Sequence, residues 1–411
     1  MKTASAIAPS DPSTAGRAPS AARGEPTDAP RGHMPALDGV RGLAVLMVLV
    51  FHFIGQMDAS TWLERKVAYL LAFGAYGVEL FFVLSGFLIT GILQDAREKP
   101  HYFRNFYMRR LLRIFPLYYM VLVAVFLVAP LIPAFQGAQL DYLRERQGWA
   151  WLYGVNVYIA IHGDWLLSYV DHFWSLCVEE HFYFLWPALV WVMGKNPRRL
   201  MWTSLAISVA AMVARTAGNL AGLSWWTTYV FTPFRLDGLA LGGFLALLVR
   251  QPGGAETIRR HLGKAGVAAV GLTAVTYAWV VVSQSALSLC YSIRAASLTV
   301  VLAVLLLWAL FSAGGSPLNR VFCSRPLTFL GKYSYGAYVY HHFLSYYLLS
   351  HRTEHVVAGW VGNHFLAVLL QGGLGIAVSV AVAWASYELV EKRFLGLKRH
   401  FESAPERAAQ A

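Results

Sequence analysis

Ten stretches of this chain are apolar over roughly the length of a bilayer-spanning helix, and that property limits the fold more than any motif does. They run over about 37–57, 68–93, 112–136, 173–193, 200–218, 228–249, 264–283, 290–312, 327–349 and 363–390. Crossing the hydrocarbon core takes about 20 residues of helix. Of the 411 residues, 57% are hydrophobic and only 14% are charged, where a soluble domain carries about a quarter charged. The expectation is an all-α integral membrane protein, a bundle of about ten transmembrane helices.

Charge orients that bundle. A net charge of +12 would suggest nucleic acid in a soluble protein, but here its placement explains it better. Sorted by alternate loops, 26 of the 34 Lys and Arg fall on one side and 7 on the other, with Arg235 inside an apolar stretch. Loops rich in Lys and Arg stay in the cytosol, so both termini are expected there and no nucleic-acid partner is invoked. Residues 1–35, rich in Ala, Pro, Ser and Gly without an apolar run, read as a disordered cytosolic tail rather than a signal peptide. Residues 36–391 form the membrane domain, and 392–411 a short basic cytosolic tail. The connection 137–172 is aromatic and moderately apolar, and is expected at the interface or re-entering the membrane. Cys177, Cys290 and Cys323 lack metal-ligand spacing. The expected topology puts Cys290 and Cys323 on opposite sides, so neither a metal nor a disulfide framework is expected.

Ionisable groups inside hydrocarbon cost about 2.5–3.5 kcal/mol each on insertion scales, so they pair or line a cavity. In "RGLAVLMVLVFHF", Arg41 opens the first apolar stretch and His52 lies 11 residues on. That is about 16 Å of helix and close to three turns, so both side chains share one face. Depth along the other stretches brings Glu179, Glu180, Arg235, Asp237 and His341 or His342 to the level of His52, as one outward-facing polar ring. Glu79 and Ser85 lie on the second stretch. At the opposite end, "FRNFYMRRLLRIFPLYY" holds Arg104, Arg109, Arg110 and Arg113. Arg110 and Arg113 are neighbours on a helix face, and with Arg41 they suit a phosphorylated cytosolic molecule. Plainer roles compete: such arginines also serve topology or anionic lipid, a lone His packs, Arg235 pairs with Glu179 or Asp237, and Ser85 and Cys177 fill space.

At these residues the chain resembles the membrane-bound acyltransferase 3 family. The matching pieces, in order, are "LDGVRGLAVLMVLVFHF", "GVELFFVLSGFLIT", "RRLLRIFPLYY", "FWSLCVEEHFYFLWP", "FRLDGLALGG" and "YSYGAYVYHH". They cover about 36–391; the tail 1–35 has no counterpart, and no appended hydrolase-like domain is read. The resemblance implies O-acylation of cell-surface glycans, with acyl-CoA, most often acetyl-CoA, as donor in the cytosol and the acceptor hydroxyl arriving from the other face of a bacterial cytoplasmic membrane. It implies that Arg41 and His52 are an essential pair, that Arg110 and Arg113 serve CoA, and that Glu179 or Glu180 is the acidic position after Trp-Ser.

Chemistry fits those roles. His is suited to proton transfer near neutrality, either as the base for the acceptor hydroxyl or as an acyl carrier. Glu179 or Asp237 is expected to orient it, and Arg235 to stabilise the oxyanion or hold an anionic acceptor. Alternatives are a macrolide-like glycoside acceptor and, from another class, a sugar-lipid or proton-coupled transporter. A transporter has no need of a CoA grip.

Overall fold

The computed structural model describes residues 34–133, 136–282 and 287–402. They are 86% helical with no strand among them. In chain order the helices are α1 (Pro35–Val50), α2 (Trp62–Leu71), α3 (Gly77–Ala96), α4 (Tyr102–Val123), α5 (Ala138–Glu145), α6 (Gly148–Trp151), α7 (Val155–His162), α8 (Trp174–Met193) and α9 (Pro197–Leu220). There follow α10 (Trp225–Val230), α11 (Thr232–Val249), α12 (Gly254–Val282), α13 (Leu287–Phe311), α14 (Pro317–Phe322), α15 (Arg325–Ser350), α16 (Thr353–Val361), α17 (His364–Ser386) and α18 (Lys392–Gly396).

Among the described residues, each stretch expected to be a membrane helix is helical over most of its length. Seven segments are long and apolar enough to cross a membrane: Pro35–Gly55, Trp62–Ala96, Tyr102–Leu131, Pro197–Leu220, Trp225–Val249, Ser292–Phe311 and His364–Phe401. The chain is a multi-pass membrane protein. Helices α8, α12 and α15 match three further expected spans but fall outside the seven; α8 and α15 are diluted by the polar residues of the site. Side chains such as Phe184, Val267 and Leu374 are exposed on outer helix faces, where lipid rather than water is the natural solvent.

Local sequence explains the starts. Proline at the first turn of α1, α9 and α14 loses no intrahelical bond there. Asn196, Ser316 and Asn363 cap the helices that follow them. Thr61 and Glu64 form a reciprocal capping box on α2.

Packing is set by small residues. A Cβ on Gly86 of α3 would lie 1.8 Å from the Leu239 carbonyl oxygen, and one on Gly242 of α11 would lie 2.0 Å from that of Val83. Gly42 of α1 and Gly331 of α15 make the same approach to Leu327 and Asp38. Backbones therefore touch across α3–α11 and α1–α15, the close contact that small residues permit between membrane helices. Around these pairs α9 packs on α11, α17 on α15, and α12 on α13.

The 137–172 connection re-enters the body of the protein. Val155 and Ile159 of α7 are fully buried, and α7 packs against α8 and α10. Residues 392–402, expected as the start of a tail, instead continue as α18 and a short 3-10 turn, Leu397–Phe401. There the Arg104 guanidinium lies 5.6 Å from the Phe401 ring centre. Cys177 and Cys323 are free thiols. The tail 1–33, residues 403–411 and the Cys290 side chain lie outside the described residues.

Candidate active site

Helix α1 does not stay α-helical to its end. Phe51–Gly55 is a π-helical turn, a widening that recurs at functional sites, and it carries His52. Four imidazoles meet there. The His52 ring centre is 4.9 Å from that of His341 and 5.4 Å from that of His342, both on α15. His172, in the 3-10 turn Ser168–Phe173, stands 4.6 Å from His342 and 5.5 Å from His341.

Each ring has one nitrogen against a backbone carbonyl: His52 Nδ1 on Val48 at 3.0 Å, His341 Nδ1 on Tyr338 at 2.6 Å, His342 Nε2 on Ser168 at 3.3 Å and His172 Nε2 on Val339 at 3.1 Å. A carbonyl only accepts, so those nitrogens carry the proton, and each neutral ring keeps a lone pair on the other nitrogen. His341 Nε2, His342 Nδ1 and His172 Nδ1 have no hydrogen-bond partner among the described residues. The cluster is thus a set of poised proton acceptors. One nitrogen from each of His52, His341 and His342 also lies within 4.8 Å of the others, a spacing on which a metal could be held.

His52, His172 and His342 line a cavity of 610 Å³, within the ~300–1,000 Å³ usual for small-molecule sites. Aromatic side chains, among them Tyr69, Tyr76, Trp174, Trp226 and Tyr229, form much of its wall. Arg235 is ion-paired with Glu79 and lies over the rings of Phe82, Trp174 and Tyr229 at 5.2–5.6 Å. Asp237 is paired with Arg215 of α9 at 2.8 Å, and both are almost fully buried. Asp171 also lines this cavity; burial pushes its carboxyl up to about 8, against the hydrogen bond donated by the Leu167 N–H.

A second, narrower pocket of 170 Å³ holds Arg41, Arg110, Arg113, Glu179, Glu180 and Tyr183. Arg41 Nη1 lies 2.9 Å from Asp38 Oδ1. Ser85 is hydrogen-bonded to Tyr183 and lines the same pocket. Val78 and Tyr338 line both spaces. Tyr338 donates to the His172 carbonyl at 3.0 Å, and its hydroxyl is 2.5 Å from that of Ser175. Tyr338, held by these hydrogen bonds, therefore stands with Val78 between the two chambers.

The single polar ring expected from depth is divided by this partition. His52, His342 and Arg235 line the large chamber, while Glu179 and Glu180 stand with the arginines. Those two residues lie five and six positions into α8, about 8–9 Å down its axis, and that descent carries them past Tyr338. Among the described residues no carboxylate is hydrogen-bonded to His52; its Nδ1 partner is the Val48 carbonyl. Arg235 pairs with Glu79, not with Glu179 or Asp237. The expected trio Arg41, Arg110 and Arg113 does come together. Arg215, His172 and Tyr338 went unremarked in the sequence. Arg215 lies near the end of the 200–218 apolar stretch, and an ionisable residue so placed is itself the signal.

Residues 34–388 match the acyltransferase 3 family, described as an acyltransferase domain. The chain belongs to this family. Among its relatives, the peptidoglycan O-acetyltransferase OatA of Listeria monocytogenes is 29% identical over 332 residues, covering 76% of this chain and 49% of that protein. The putative peptidoglycan O-acetyltransferase YrhL of Bacillus subtilis is 26% identical over 381 residues, covering 88% and 54%. The O-acetyltransferase OatA of Staphylococcus aureus is 25% identical over 375 residues, covering 87% and 57%. The chain thus spans about half the length of the curated relatives it matches. No solved structure matches it.

Proposed function

We propose that this acyltransferase 3 member is an O-acyltransferase that takes an acyl group, most simply acetyl, from cytosolic acyl-CoA and transfers it to a hydroxyl of an extracytoplasmic glycan. Peptidoglycan is the acceptor favoured by the relatives' names. The observation that carries the reading is the two-chamber seam along α1. Arg41 opens on one chamber and His52 on the other, about 16 Å apart along the helix. The site lies in a bacterial cytoplasmic membrane with ten spans and both termini cytosolic, as the charge asymmetry argues.

In this reading Arg41, Arg110 and Arg113 grip the anionic nucleotide end of CoA at the mouth of the narrow pocket. Glu179 and Glu180 moderate that cationic cluster. The thin pantetheine arm passes Tyr338, and the thioester meets His52. The His52 lone pair takes the acceptor's hydroxyl proton as the oxygen attacks the thioester carbonyl. The C–S bond breaks, and the CoA thiolate receives the proton back. Base catalysis of this kind supplies about 10²–10⁴-fold. The stepwise variant places the acyl group on His52 first and lets His341 take the hydroxyl proton. Neither route calls on a metal. Arg235, held by Glu79, and Asp237, held by Arg215, shape the acceptor chamber and set its field.

Transfer of label from radiolabelled acetyl-CoA in membranes containing the wild type, His52→Ala or Arg113→Ala at matched expression tests this. Labelled glycan with the wild type that is lost in both variants is expected. Equal labelling in all three contradicts the assignments.

A further inference from the structure

The narrow pocket does not end at its arginines. Arg110 and Ile92 line it and also line an adjoining cavity of 160 Å³, so Arg110 stands at the junction of the two. Arg109 and Phe401 line this outer cavity as well. Phe401 arrives from the far end of the chain: α18 and the turn Leu397–Phe401 pack on α4. The Arg104 guanidinium, 5.6 Å from the Phe401 ring centre, adds a cation–π contact that holds the turn there. The same turn brings Lys398 beside Arg109, Arg110 and Arg113. These four cations and Phe401 are only partly buried, so a solute can reach them.

Lys398 thus meets three cations and, among the described residues, one acid, Glu402. Like charges brought together repel, and a bound anion relieves that. The other acids nearby are engaged elsewhere. Asp95, on the wall of the outer cavity, is clasped by Arg250 at 2.8 and 3.0 Å, and Glu98 is paired with Arg97. Glu179, Glu180 and Glu391 act on the inner members, Arg110 and Arg113.

Depth orders these groups. Arg109 precedes Arg113 by four residues, about 6 Å of helix, at the end of α4 expected to face the cytosol. CoA is linear in the same sense: thioester, pantetheine, diphosphate, then 3′-phosphorylated adenosine. With the diphosphate at Arg110 and Arg113, the phosphorylated ribose falls at the outer cavity. We propose that Arg109 and Lys398 hold the 3′-phosphate of the acyl-CoA donor there, which makes the segment 392–402 part of the donor site. This rests on the acyl-CoA reading and extends it to a group that reading leaves unplaced. A phosphate monoester carries about −1.5 to −2 charge at neutral pH and three acceptor oxygens, which suits a guanidinium and an ammonium supplied by two separate elements. Both residues bind the donor far from the reacting atoms.

The test uses the full chain in proteoliposomes of phosphatidylcholine alone, so that no anionic lipid competes. Donor is present on both faces, as acetyl-CoA or acetyl-3′-dephospho-CoA, with soluble peptidoglycan fragments as acceptor. The wild type is expected to prefer acetyl-CoA by about tenfold in kcat/KM, carried by KM, the scale of a lost charge-assisted hydrogen bond. Lys398→Met and Arg109→Gln are each expected to bring that ratio toward one, and Lys398→Arg to keep most of it. Equal use of the two donors by the wild type overturns the inference and leaves the acyl-CoA reading standing. An undiminished ratio in Lys398→Met and Arg109→Gln, whatever their total activity, overturns the assignment to these residues. A ratio as low in Lys398→Arg as in Lys398→Met overturns a grip based on charge. Transfer from neither donor by the wild type overturns the acyl-CoA reading itself, and the inference falls with it.

Discussion

At the scale of single residues, a charge at membrane depth means little until its partner is known. Arg235 and Asp237 lie two residues apart in the same sequence motif, yet each pairs with a different helix, Arg235 with Glu79 of α3 and Asp237 with Arg215 of α9. Removing one member strands the other, a cost of about 3–5 kcal/mol for a buried pair. Glu79→Ala is therefore expected to lower the midpoint of thermal unfolding in detergent by several degrees, and Glu79→Leu/Arg235→Met to recover most of the loss. A double variant no more stable than Glu79→Ala would show that the pair is not the source of the cost. His52 has a different sensitivity. Its Nδ1 proton is committed to Val48, so in the proposed mechanism Nε2 is the nitrogen that acts. His52→Gln is expected to lose about 10²–10⁴-fold in kcat, with little change in KM for acyl-CoA. Arg113→Ala is expected to raise that KM several-fold. Chelator treatment separates imidazole chemistry from metal chemistry at the same cluster: transfer after dialysis against EDTA is expected to equal that of untreated protein, and loss restored by zinc would place a metal on His52, His341 and His342.

At the scale of elements, the sequence marked where helices run because apolar length is a local property. It also brought Arg41, Arg110 and Arg113 together correctly, since all three lie at one membrane level and two share a helix face. It failed where the answer depends on which helices touch. Depth alone put Glu179 and Glu180 beside His52, whereas the Tyr338 partition separates them. The π turn at Phe51–Gly55 has no local signature in "FHFIG" that distinguishes it from an α-helix. Adjacency is instead written in the glycines. Gly242 of α11 leaves no room for a side chain, since a Cβ there would lie 2.0 Å from the Val83 carbonyl oxygen and 2.7 Å from the Phe87 nitrogen. Gly242→Leu is expected to force α3 and α11 apart, costing at least the ~1–3 kcal/mol typical of overpacking. The measurement is the yield of monodisperse protein and its thermal midpoint, and a wild-type value for both would contradict the backbone contact.

At the scale of the whole molecule, the Lys and Arg asymmetry and the seam along α1 make one joint claim about sidedness. Cys323 is an exposed free thiol in the loop before α15, whereas Cys177 is buried. With Cys290 replaced by Ser, a membrane-impermeant maleimide is expected to label Cys323 only when the cytosolic face is accessible. Labelling in intact cells would invert the topology. The most direct test of the account separates the two substrates by the bilayer. Proteoliposomes with uniformly oriented protein would receive acetyl-CoA on the face bearing Arg41, Arg110 and Arg113, with glycan acceptor confined to the face bearing His52. The account predicts acetylated glycan in the compartment that never contained CoA, and its loss when acetyl-CoA is supplied on the acceptor side instead. Product formed only when donor and acceptor share a compartment would contradict transfer across the membrane.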